Sequence, residues 1–113
     1  DEVTITGDTY CAQLKDGVIN EFIINPSDLN MPTSSISELI GGEPDENARD
    51  IKELFNGKKG AFRNVVILNA ASALVATGNA VDLENGAQKA ILSIDNGYAM
   101  NKLEMLIDIT NNS

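Results

Sequence analysis

Residues 63–78 read RNVVILNAASALVATG. Val65, Val66, Ile67, Leu68, Ala70, Ala71, Ala73, Leu74, Val75 and Ala76 leave Asn69 and Ser72 as the polar interior positions. A helix with no charged face is normally a buried one, so this stretch predicts a rod with the rest of the chain wrapped around it. Asn69, Ser72 and Ala76 recur at steps of three and four and share one narrow stripe. That stripe predicts close packing and a few internal hydrogen bonds. Gly78 stands where a helix needs a left-handed residue to stop. A membrane span takes about 20 apolar residues. This run is shorter and broken by Asn69 and Ser72, so it is not one.

Working outward, each neighbour of the rod carries its own boundary signals. On the N-terminal side, Pro44 suits a first helical position, with Asp45 and Glu46 where the helix dipole favours negative charge. Ala48, Ile51, Leu54 and Phe55 give that helix its apolar face, and Gly57 stops it. The Lys58-Lys59-Gly60 link is so short that this helix and the rod are expected to be neighbours. On the C-terminal side, Asp82 predicts an N-cap for a helix over residues 83–95, facing inward through Leu83, Ala87, Ala90, Ile91 and Ile94. A last helix is expected over residues 98–109, with Met100, Leu103, Leu106 and Ile107 inward. These two helices are expected to cover one side of the rod.

Residues 3–24 carry strand signals instead. Asp16-Gly17 is a strong two-residue hairpin turn, because both positions tolerate positive φ. Pairing through it sets Leu14 opposite Ile19, Ala12 opposite Glu21 and Tyr10 opposite Ile23, six side chains on one mostly apolar face. A lone hairpin is marginal in water, so this one needs something to lie on. Pro26 ends the second strand, residues 35–39 suggest one short helical turn, and Gly41-Gly42 is a break. The expected architecture is α+β within one domain: strands and hairpin in residues 1–25, loop in 26–43, helices in 44–113.

Composition narrows the chemistry. The 113 residues are enough for one domain, with 42% hydrophobic content and only 4% aromatics, so the core must be aliphatic. The net charge of -9 leaves no basic patch to displace counterions, which argues against nucleic acid as a partner; the acidity reads as solubility. Cys11 is the one cysteine, so no internal disulfide forms, which fits a reducing compartment. With no histidine, the commonest general base and zinc ligand are missing. No signal peptide is visible. The first residue is Asp1, not Met, and the chain opens in mid-pattern, so it is expected to be a piece of something longer.

Phosphate loops, dinucleotide fingerprints, zinc motifs and nucleophile elbows are all absent from the sequence. Gly41-Gly42-Glu43-Pro44 before a helix start has free N–H groups for an anion, but Glu43, Asp45 and Glu46 would repel a phosphate, so it reads as loop and helix start. Asp1 and Glu2 are adjacent carboxylates: either solvated surface charge or hard oxygen ligands of the kind magnesium takes. Lys58, Lys59 and Arg63 read as a small basic cluster balancing nearby acids. Cys11 reads as a packing residue, and Ser34 and Ser35 have no base to activate them.

Several stretches together resemble a known family. They are Asp1-Glu2-Val3-Thr4-Ile5-Thr6-Gly7, the hairpin Leu14-Lys15-Asp16-Gly17, the box Gly41-Gly42-Glu43-Pro44-Asp45-Glu46-Asn47-Ala48, Lys59-Gly60, the helix Leu68-Asn69-Ala70-Ala71-Ser72-Ala73-Leu74, and Ser93-Ile94-Asp95-Asn96-Gly97-Tyr98-Ala99. In order and spacing they are similar to the C-terminal third of the anthranilate phosphoribosyltransferases. The box and the apolar helix together make the match specific.

The resemblance implies a cytoplasmic enzyme of tryptophan biosynthesis that transfers phosphoribosyl from phosphoribosyl pyrophosphate to anthranilate with Mg2+. It implies that Asp1 and Glu2 are metal ligands, and that the phosphate loop, the anthranilate site and most of the homodimer contacts lie upstream. This chain would supply late strands and closing helices of a larger α/β domain of nucleoside phosphorylase type, inactive without its missing N-terminal portion. A related pyrimidine nucleoside phosphorylase or diverged phosphoribosyltransferase, and a non-catalytic helical interaction module, stand as alternatives.

Overall fold

The computed structural model describes residues 2–112. A two-stranded antiparallel sheet, β1 (Thr9–Lys15) and β2 (Val18–Ile24), is followed by two short 3-10 turns and four α-helices among the described residues: α1 (Pro44–Phe55), α2 (Ala61–Ala76), α3 (Leu83–Asp95) and α4 (Tyr98–Asn111). The hairpin closes through Asp16 and Gly17, both at positive φ, which matches the right-handed twist of the strands. Its register is the expected one, with Leu14 opposite Ile19, Ala12 opposite Glu21 and Tyr10 opposite Ile23.

Local chemistry fixes the helix ends. Asp82 caps α3 by accepting from the Asn85 N–H at 2.8 Å. Helix α2 stops at Gly78, which has φ +75. There the Gly78 N–H donates to Val75 O and the Asn79 N–H to Leu74 O, the paired bonds of a left-handed glycine stop.

Helix α2 divides the core in two. Ile67 and Ala71 face α3 and α1, packing with Leu54, Ala87, Ala90 and Ile94. Leu68 faces the other way and packs with Ile5 and Ile24. On the α3 side the approach is set by Gly86, where an added Cβ would lie 2.7 Å from Ala71 O and 2.9 Å from its Cα. No larger residue fits there without moving one helix.

The rod is not buried all round. Arg63, Ile67, Leu68 and Ala71 are buried, while Ala73 and Ala76 are exposed. Helix α3 makes the most extensive contact with it, whereas α4 packs mainly against α3 and α1. Accordingly Met100 and Leu103 are half-buried, but Leu106 is 58% and Ile107 41% exposed. The expectation that α4 covers the rod with all four residues inward is therefore corrected. Its apolar stripe is wider than the surface this chain offers it. The shared hairpin face is open as well, with Tyr10 81% and Leu14 72% exposed.

Candidate functional site

Of the predicted acidic pair, Asp1 lies outside the described residues. Glu2 is exposed. Immediately after it the backbone is anchored at three successive residues. The Val3 N–H donates to Asn69 Oδ1 at 2.9 Å, and Asn69 Nδ2 donates back to Val3 O at 2.7 Å. The Thr4 N–H donates to Thr9 Oγ1 at 3.0 Å. Ile5 is fully buried against Leu68, and its carbonyl accepts from the Ser34 N–H. Residues 3–5 thus form a strap laid across α2 and the base of the hairpin, and Glu2 immediately precedes it.

Asn69 holds the first residue of the strap. Its Nδ2 also donates to Val65 O at 2.9 Å, one turn back in its own helix. Both amide hydrogens are therefore used, and the polar side chain in an apolar helix is satisfied. Ser72, three residues on, bonds only to Leu68 O at 2.8 Å. The predicted internal hydrogen bonds are present at both positions. The reach of Asn69 to a residue 66 positions away was not legible in the sequence. An asparagine in the middle of an aliphatic helix was the signal for it.

The box at residues 41–48 is closed on itself. The Gly42 N–H donates to Asn47 Oδ1 at 2.8 Å, Asn47 Nδ2 donates to Gly42 O at 2.9 Å, and the Glu43 N–H donates to Glu46 Oε2 at 2.9 Å. The Gly42 and Glu43 N–H groups are thus taken up within the box itself, as in a cap and turn. It borders a cleft of about 500 Å3 whose walls include Ile51, Leu54, Lys59 and Arg63 but no residue of the strap.

Lys58, Lys59 and Arg63 line the same cleft, and two of them balance nearby acids as expected. Lys58 pairs with Glu53 on α1. Arg63 is only 4% exposed and holds Asp95 of α3 through a hydrogen bond from Nη2 and an ion-pair contact from Nη1, each at 2.9 Å. The hydrogen bond and charge of Arg63 hold the Asp95 carboxyl below the usual carboxylate range, and the Lys58 contact does the same for Glu53. Cys11 is half-buried against the Ile5–Leu68 cluster, a packing residue as expected.

Comparison with known proteins places this arrangement. The profile of the glycosyl transferase family, a/b domain, matches residues 1–100. The chain belongs to this family.

Within the glycosyl transferase family it is an anthranilate phosphoribosyltransferase-like segment. It is 43% identical over 111 residues to the anthranilate phosphoribosyltransferase of Parvibaculum lavamentivorans, covering 98% of this chain and 33% of that protein. Among solved structures, the Saccharomyces cerevisiae anthranilate phosphoribosyltransferase in complex with 4-fluoroanthranilate superposes with a TM-score of 0.86 at 27% identity, over 100% of this chain and 33% of its own. A variant of that yeast enzyme with Mg bound superposes with a TM-score of 0.87 at 27% identity, over 100% and 33%. The chain spans about a third of the length of the relatives it matches.

This glycosyl transferase family segment contains, among the described residues, no group of three or more His, Cys, Asp or Glu side chains that could hold a metal. The exposed Glu2 carboxylate is an oxygen donor of the type magnesium takes, one or two per ion, with water and phosphate completing the shell. It does not suit a structural zinc. Among the described residues no helix is long and apolar enough to cross a membrane.

Proposed function

We propose that this chain is the C-terminal third of an anthranilate phosphoribosyltransferase. The observation that carries the reading is the 43% identity over 98% of the chain to an enzyme of that name. The order of its motifs and the strap beneath Glu2 support it. In the reaction, the anthranilate amine nitrogen forms a bond to C1′ of phosphoribosyl pyrophosphate, while the bond from C1′ to the pyrophosphate oxygen breaks.

In this reading Asp1 and Glu2 hold Mg2+, which supplies positive charge against the departing pyrophosphate. The contribution of this chain is then positional. The strap presents Glu2, α2 carries the strap, and α3 locks α2 through Gly86 and Ala71. An aromatic amine nucleophile demands no protein base, so the lack of histidine is no obstacle. The upstream portion would bring the phosphate loop and the anthranilate site, and would lie against the open face of Tyr10, Leu14, Ile19 and Ile23. The whole protein would be a homodimer. Without that upstream portion the chain has no acceptor site and is inactive.

Loss of anthranilate fluorescence tests this. The whole protein, with the upstream portion its relatives carry, should consume anthranilate only with both phosphoribosyl pyrophosphate and Mg2+ present, and this chain alone should consume none. Turnover by the isolated chain would overturn its assigned inactivity. A whole protein that leaves anthranilate untouched would overturn the functional reading.

A further inference from the structure

We propose that Asn69 is a positioning residue for the Glu2 carboxylate and acts on metal binding without touching the metal. The inference rests on the reading of Glu2 as a magnesium ligand and adds the residue that sets where that ligand stands. Its basis is the juxtaposition of the Asn69 side-chain amide on α2 with both polar groups of Val3, at 2.9 and 2.7 Å.

The geometry explains how the effect is passed on. The peptide unit is planar, so the N–H of Val3 lies in one plane with the Cα and carbonyl of Glu2. Holding that N–H on Asn69 Oδ1 fixes the plane, and with it the point from which the Glu2 side chain departs. The second bond, from Nδ2 to Val3 O, fixes the next plane and prevents rotation about Val3. Water could satisfy the same N–H and carbonyl but would fix neither.

Within residues 3–5, the other two anchors do not replace this one. Thr9 holds Thr4, and Ser34 with the buried Ile5 side chain holds the strap one residue further on. Each lies farther from Glu2 along a chain with two soft torsions per residue. Asn69 itself is rigidly based. Its Nδ2 is tied to Val65 O, and the neighbouring Ile67, Leu68 and Ala71 are buried in the two halves of the core.

Outer-shell partners of metal ligands commonly cost 10–100-fold in metal affinity when removed. The test uses the whole protein and four variants: Glu2→Gln, Asn69→Ala, Asn69→Leu and Ser72→Ala. Asn69→Leu keeps the volume in case the alanine cavity unfolds the protein, and circular dichroism identifies the folded variants. Mn2+ binding is followed by electron paramagnetic resonance with pyrophosphate present, and Mg2+ dependence of turnover in parallel.

The folded Asn69 variants should bind Mn2+ on the order of tenfold more weakly. They should need correspondingly more Mg2+ for half-maximal rate, with the KM for anthranilate unchanged. Ser72→Ala, on the same stripe but bonded only within its helix, should match wild type in both. If folded Asn69 variants bind Mn2+ like wild type while Glu2→Gln does not, the positioning role is wrong and the functional reading stands. If Glu2→Gln binds Mn2+ like wild type, the reading beneath the inference fails and takes the inference with it.

Discussion

Asn47 in α1 and Asn69 in α2 hold the backbone in the same way, each clasping the N–H and the carbonyl of a single residue through its side-chain amide. They differ in reach and in surroundings. Asn47 clasps Gly42, five residues back and exposed. Asn69 clasps Val3, 66 residues back and half-buried. The first clasp shapes the start of its own helix. The second joins two distant parts of the chain, and water competes with it less. The same side-chain chemistry thus serves as a cap in one place and as a tertiary tie in the other.

That contrast predicts unequal costs. Asn69→Ala removes three hydrogen bonds and leaves half-buried backbone groups of Val3 and Val65 without that partner; it should destabilise the whole protein by about 2–3 kcal/mol in denaturant titration. A loss under about 0.5 kcal/mol would mean that water replaces the tie as easily as it replaces a cap. Asn47→Ala should cost only about 0.5–1 kcal/mol, the range of an exposed cap. A cost equal to that of Asn69→Ala would erase the distinction.

The smallest differences should be in the pH dependence that charge contributes. Arg63 and Asp95 join α2 to α3 across 32 residues, whereas Lys58 and Glu53 lie five apart in sequence. Both carboxyls sit below their ordinary range. Asp95 therefore contributes stability at pH values above its unfolded pKa, and that contribution is lost as the pH falls through its lower folded value. Asp95→Asn should flatten this part of the acid limb, because it leaves the buried Arg63 without its counter-ion at every pH. Glu53→Gln should leave the limb nearly unchanged, since its pair is screened by solvent. Equal flattening by both would show that reach along the chain does not matter to these ion pairs.

The same split decides what the sequence made legible. The hairpin register followed from Asp16-Gly17 and strand alternation, and the start of α3 from Asp82. The box at residues 41–48 read correctly as cap and turn, because Glu46 and Asn47 close on residues three to five positions away. All of these are local. The position of α4 was misread because its stripe of Met100, Leu103, Leu106 and Ile107 says that a surface is apolar but not what lies against it. The open face of Tyr10 and Leu14 shows the same gap between an apolar pattern and its cover. At the candidate site the carboxylates came from resemblance. Their support by Asn69 was hidden, since nothing within a few residues of position 69 points to Val3. The asparagine was visible only as an exception in an aliphatic run.

The tie between α2 and the strap is tested most directly by hydrogen exchange at the Val3 amide in the whole protein. With Asn69 in place this amide should exchange at least about tenfold more slowly than a free peptide, and Asn69→Ala should remove that protection while the amides of α2 keep theirs. A Val3 amide that exchanges at the free-peptide rate in wild type, or that stays protected without Asn69, would contradict the account.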